Sequence, residues 1–186
     1  MGWNILTGYA GQLSLGHQVY FGLAGYLSAL LYINHGISPW MNLILGSAFA
    51  MVVGLAIGYP CFRLRGPYFV LAKLAFPAIV QIPFLYYFHE LGGFGGFIIP
   101  YKGVEDLWNW QFIAYAPWYY LSLCFVLLIT DLVKRLEGSK LGLYLIAIRE
   151  DMDAAESIGI DTFMYKMMAM AISAFLTVFS GTFYPF

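Results

Sequence analysis

Runs of apolar residues, each close to the length of a bilayer crossing, alternate with short polar connections along this chain. About 20 mostly apolar residues are needed to span the hydrocarbon core, and five stretches approach that length: about 13–33, 40–59, 68–88, 117–133 and 163–183. The predicted architecture is an all-α, polytopic integral membrane bundle, with about five transmembrane helices in a single domain covering 1–186. Residues 89–116 break the pattern. Gly92-Gly93-Phe94-Gly95-Gly96 is followed there by Lys102, Glu105 and Asp106 beside Trp108 and Trp110. This stretch is too polar and glycine-rich to cross, and reads as an extracytoplasmic loop or short interfacial helix with its tryptophans at headgroup level. Both ends read as cut. Residues 1–7 are too short for a span, and Tyr184-Pro185-Phe186 ends the chain as the fifth span finishes, so a fragment of a longer bundle is expected.

Composition agrees with the pattern. The 186 residues are 61% hydrophobic and 10% charged, against roughly 25% charged in soluble domains. Mean hydropathy is +0.75. The placement of charge sets orientation: Arg63, Arg65, Lys134, Arg135, Lys140, Arg149 and Lys166 fall after the second and fourth spans, whereas Lys102 is the basic residue of the other side. Because basic connections stay inside, loops 60–67 and 134–164 are expected in the cytoplasm. A net charge of −1 without a basic patch gives no sign of nucleic-acid binding. Cys61 and Cys124 read as small buried hydrophobes, and residues 1–4 carry no basic signal-peptide start.

Polar and small residues mark the first span. Gly8-Tyr9-Ala10-Gly11-Gln12-Leu13-Ser14-Leu15-Gly16-His17 interrupts what would otherwise be a smooth apolar helix. Such interruptions are tolerated where the backbone is buried in protein or lines a wet cavity. Gln12, Ser14 and His17 are therefore candidates for a translocation path along a broken helix, and equally for packing or interfacial contacts. Gly22, Gly25, Ser28 and the Gly54–Gly58 pair read as close helix packing. Lys73, a basic residue inside a span, is expected to snorkel to the interface, with a substrate-carboxylate role as the alternative. Pro77 and Pro83 should kink that span.

Residues 137–164 form a polar element between two spans. Ile148, Met152, Ala155 and Ile158 fall near one helical face, with Glu150, Asp151, Asp153 and Glu156 on the others. Gly159 suits a left-handed cap followed by Ile160, and Ala154 and Ala155 leave room for another surface to approach. A membrane-surface helix usually carries basic residues on its polar face. This one is acidic, which favours docking to a soluble partner. No paired carboxylates lie in the spans. The chain also lacks His-x-x-x-His, Cys-x-x-Cys and the Gly-x-x-x-x-Gly-Lys-Ser/Thr nucleotide loop. No catalytic or metal site is assigned, and any energy must come from a partner.

Asp153-Ala154-Ala155-x-x-x-Gly159 resembles the EAA loop of ABC importer permeases, with aspartate in place of the usual glutamate. The Gly8 to His17 run, Arg63-Leu64-Arg65-Gly66-Pro67-Tyr68-Phe69 and Ala147-Ile148-Arg149-Glu150-Asp151 resemble the branched-chain amino acid permease family of the LivM type. The resemblance implies an all-helical permease that pairs with a second related permease, two ATP-binding subunits that bind the ATP, and an extracytoplasmic substrate-binding protein. It further implies that Arg149, Glu150, Asp151, Asp153, Ala154, Ala155, Glu156 and Gly159 belong to an ATPase-coupling helix. Lys73 and Pro77 depart from that family's pattern, where a small polar residue and glycine are more usual. A urea or short-amide importer permease is the neighbouring reading. A membrane-embedded enzyme using His17 or His89, or a structural subunit, would be of another class.

Overall fold

The computed structural model describes residues 1–64, 67–87, 99 and 107–185. Among these residues every regular element is helical: α1 (Gly2–Asn4) running into a π-helical turn (Ile5–Tyr9), α2 (His17–His35), α3 (Pro39–Cys61), α4 (Pro67–Tyr87), α5 (Tyr115–Glu137), α6 (Lys140–Glu150), α7 (Met152–Ser157) and α8 (Thr162–Phe183). Three of them, α3, α5 and α8, are long and apolar enough to cross a membrane, and Tyr68–Ile82 within α4 is a shorter apolar helix. The first expected crossing, α2, carries His17, Gln18, Ser28 and Asn34 and falls short of the same hydropathy. His17 and Ser28 are buried in the protein, whereas Gln18 and Asn34 are exposed. The molecule is a multi-pass membrane bundle.

The expected 89–116 loop lies outside the described residues except for residue 99 and 107–116. His89, Lys102 and Arg65 are likewise outside them. Trp110 is buried in the protein, with its ring 5.2 Å from Trp40 and 5.8 Å from both Phe125 and Phe183. The structure encloses it in an aromatic cluster joining the first turns of α3 to the last turn of α8, while Trp108 is exposed.

Helix α8 is the centre of the bundle, and small residues explain how closely it is approached. Gly46, Ala50, Gly54 and Gly58 recur every fourth position of α3 and make one ridge. A Cβ on Gly46 would meet Val178, one on Gly54 would meet Ala174 at 3.1 Å, and one on Gly58 would meet Met167 and Met170. Met170, Ala174, Val178 and Thr182 form the matching fourth-residue ridge of α8. On the other side Gly181 lies so close to α2 that an added Cβ would sit 2.4 Å from the Phe21 carbonyl oxygen. Gly25 faces the Gly181 carbonyl at 3.1 Å. The expected packing role thus holds at Gly25, Gly54 and Gly58, but Gly22 meets nothing within 4 Å.

Helix α4 continues through Pro77 and Pro83. Two expectations are corrected. Cys124 lies exposed on α5, whose buried residues are Ile129 and Val133, whereas Cys61 is buried as expected. Lys73 does not snorkel. It is 1% exposed, with Nζ donating to Met170 Sδ at 3.4 Å and lying 5.5 Å and 5.7 Å from the Phe62 and Phe69 ring centres. Two aromatic faces and a polarisable sulfur hold the ammonium inside, although they replace hydration incompletely. Lys73→Met, which keeps the stem and removes the buried charge, is therefore expected to raise the thermal midpoint in detergent by the equivalent of about 1 kcal/mol or more. A lowered midpoint would show that the cage fully compensates the charge.

Candidate functional site

The site grows from a break in the first span. After the π-helical turn the chain leaves the helix at Ala10, Gly11 adopts a left-handed φ of +65°, and α2 begins only at His17. Glycine is required at position 11 for a second reason, because a Cβ there would sit 2.7 Å from Arg149 Cγ. Arg149 Nη1 donates to the Gly8 carbonyl at 3.0 Å, and the Tyr9 hydroxyl donates to Glu137 Oε2 at 3.1 Å. Desolvation, reinforced by the Glu137 hydrogen bond and charge, raises the Tyr9 phenol above its ordinary pKa. The interrupted segment is thus fixed to the polar element that follows α5.

Ser14 and His17 are held by a directional chain of hydrogen bonds. Ser173 Oγ donates to the Gly2 carbonyl at 2.6 Å, so it accepts from His17 Nε2 at 2.5 Å. His17 Nδ1, left as the acceptor of a neutral ring, then receives the Ser14 hydroxyl at 3.0 Å. Both ring nitrogens are engaged in tying the break to α8. Gln12 is placed elsewhere, at the mouth of a cleft beside α7.

The polar element is two helices rather than one. Asp151 is extended (φ −153°, ψ 111°), ending α6 and capping α7 by accepting from Ala154 N at 3.0 Å. The periodicity expected to unite Ile148 with Ile158 stops at this residue. Ile148 is buried, while Ile158 is 75% exposed. The two alanines also take opposite roles: Ala155 is 3% exposed and faces inward, whereas Ala154 faces out. Gly159 (φ +89°) closes α7 as expected, its N–H bonding the Glu156 carbonyl while that of Ile160 bonds the Ala155 carbonyl. Removing the start cap by Asp151→Ala should cost about 1 kcal/mol of local stability, read as faster amide exchange across α7 with α3 and α8 unchanged.

Helix α7 is tied to α8 at two points. Thr162 Oγ1 donates to Glu156 Oε1 at 2.5 Å, and Lys166 Nζ reaches Met152 Sδ at 2.7 Å. Between α7, the end of α3 and the start of α8 lies a cleft of about 400 Å³ that gathers Gln12, Arg63, Asp153, Glu156 and Lys166. Residues from the Gly8–His17, Arg63–Phe69 and Asp153–Gly159 motifs therefore line one cleft, and Arg149 of the Ala147–Asp151 motif reaches Gly8. Of the candidate residues, Arg149 and Glu150 form a surface ion pair, and Arg149 alone of the two reaches the broken segment. The pairing of Gln12 with α7 was not legible in the sequence. The basic Arg63 and Lys166 opposite acidic Asp153 and Glu156 are its only advance sign.

Sequence comparison bears on the same chain. The family described as "Branched-chain amino acid transport system / permease component" matches residues 1–186. The chain is similar to the high-affinity branched-chain amino acid transport system permease protein LivM of Escherichia coli, at 30% identity over 98% of this chain and 48% of that protein. The same figures hold for LivM of Salmonella typhimurium. The chain thus spans about half the length of the curated relatives it matches. No solved structure matches it significantly.

Proposed function

The chain belongs to the family of branched-chain amino acid transport system permease components, and from that premise we propose that it is part of the permease subunit of an ABC importer for branched-chain or similar hydrophobic amino acids. ATP hydrolysed by partner subunits would drive it, with a second permease and an extracytoplasmic binding protein completing the assembly. The observation that supports this reading is the convergence of the three motifs at the end of the bundle from which α7 projects.

Placed in the cytoplasm, α7 offers Ala154, Ser157 and Ile158 outward as the face for an ATP-binding subunit. Its inner side carries movement onward through Glu156–Thr162 and Met152–Lys166 to α8. From α8 the small-residue ridges pass it to α3, and Gly181 passes it to α2. Arg149 carries the broken segment along with α6. This division assigns Asp151 and Gly159 to shaping the helix and the outward residues to docking.

The test is uptake into vesicles holding the full-length permease with its cognate ATP-binding subunits, second permease and binding protein. Saturable, ATP-dependent accumulation of leucine, isoleucine and valine is expected, with urea excluded. Uptake of urea or a short amide instead would replace the proposed substrate, and uptake of none of these would remove the reading.

A further inference from the structure

A second cleft, of about 380 Å³, lies between α2 and α4. Its size falls within the range of small-molecule sites. Gln18 of α2 and Gln81 of α4 both line it, with Tyr26, Leu23 and Val80 among the other lining residues. Both glutamines are exposed rather than packed into the protein. Uncharged carboxamides in membrane helices are costly against lipid and are expected where they meet water, a partner or a polar ligand.

Gly22 supplies an independent observation. The neighbouring small positions of α2 and α3 are occupied by glycine because a Cβ would strike another helix, as at Gly25 and Gly54. Among the described residues, a Cβ at Gly22 would meet nothing within 4 Å, and the residue lines this cleft. Glycine there serves the cleft and not a helix crossing, and it weakens the helix relative to alanine.

We infer that the α2–α4 cleft is a substrate subsite that takes a small amino acid with an aliphatic side chain. The carboxamides of Gln18 and Gln81 each offer a donor and an acceptor, so together they serve a carboxylate and an ammonium. Leu23 and Val80 take the side chain, with the space at Gly22 setting its size. Neutral amides bind a zwitterion less tightly than charged groups, which suits a site that must release what it accepts. An acyl chain fits this cleft poorly, because it leaves both carboxamides unpaired.

This inference rests on the proposed permease function, and one experiment separates the two. Leucine uptake is measured in vesicles for the full assembly carrying Gly22→Ala, Gly22→Leu or Gln81→Leu, with abundance and ATPase association scored in parallel. The KM for leucine should rise modestly for Gly22→Ala and about tenfold or more for the other two, at unchanged assembly. If Gly22→Leu does not assemble, the alanine and Gln81 variants carry the same comparison. Wild-type uptake with unchanged KM in the assembling variants overturns the subsite alone, including the case where a lipid is retained in the cleft. A wild-type assembly that takes up no leucine, isoleucine or valine overturns the permease reading and the subsite with it.

Discussion

Ala154→Trp is expected to abolish uptake and release the ATP-binding subunits from the membrane assembly while leaving the bundle folded. Ala154 faces outward from α7, so the indole adds its bulk to a surface that none of the described residues covers. If that surface is the proposed docking face, a side chain of that size in a close-fitting contact holds the partner off, at a cost of several kcal/mol typical of a disrupted interface centre. Uptake should then fall to background. Co-purification of the ATP-binding subunits in detergent would report the association directly, and the thermal midpoint of the permease should stay at its wild-type value. Ile158→Asp, at an exposed apolar residue of the same face, should act in the same direction. Full uptake in both variants would place docking elsewhere. Ala155→Trp is the wrong probe, since Ala155 is buried and its replacement would disturb α7 itself.

The second large effect is expected at the opposite end of α8. Gly181→Leu places a branched side chain where even a Cβ would lie 2.4 Å from the Phe21 carbonyl oxygen and 2.8 Å from Ala24 Cβ. The obstacle is backbone on one side and a methyl on the other, so no rotamer relieves it. Overpacking of this kind costs about 3 kcal/mol or more. The two helices must separate, and the Gly25 contact with the Gly181 carbonyl is lost with them. A drop of several degrees in the detergent thermal midpoint and reduced membrane abundance are the readouts. Gly22→Leu, one turn away on α2 but facing open space, should do neither. Equal stability of the two variants would contradict the packing described for this crossing.

The spans were legible because the length and apolarity of a bilayer crossing are imposed from outside the chain. Helices α3, α4, α5 and α8 begin and end within a few residues of the runs that announced them. Helix α2 began later than its apolar run because Gly11 and Gly16 favour a break that hydropathy does not register. The split at Asp151 was hidden by a chemical ambiguity: aspartate suits both the polar face of a helix and the first cap of the next one. Burial of Lys73 was hidden for another reason. Its partners are a thioether and two rings, whereas a search for compensation looks first for acids. The Gln18–Gln81 cleft was illegible because it needs two residues far apart in the chain to line one cavity, and only packing decides that. The Gly8–His17, Arg63–Phe69 and Asp153–Gly159 motifs were legible separately, while their meeting beside α7 was not.

Helix α8 has the proportions of a lever. Its contact with α7 is at Thr162 and Lys166, in the first turns, while its closest contact with α2 is at Gly181, near the last. At 1.5 Å per residue these ends are about 29 Å apart. If the Gly181 crossing acts as a fulcrum, a displacement of about 3 Å at Thr162 becomes a rotation of about 6° and moves the level of Ser173 by about 1.2 Å. The stroke is thus geared down along the helix: large where a soluble partner would push, and small at the hydrogen-bonded His17 and Ser173, where the first span is joined.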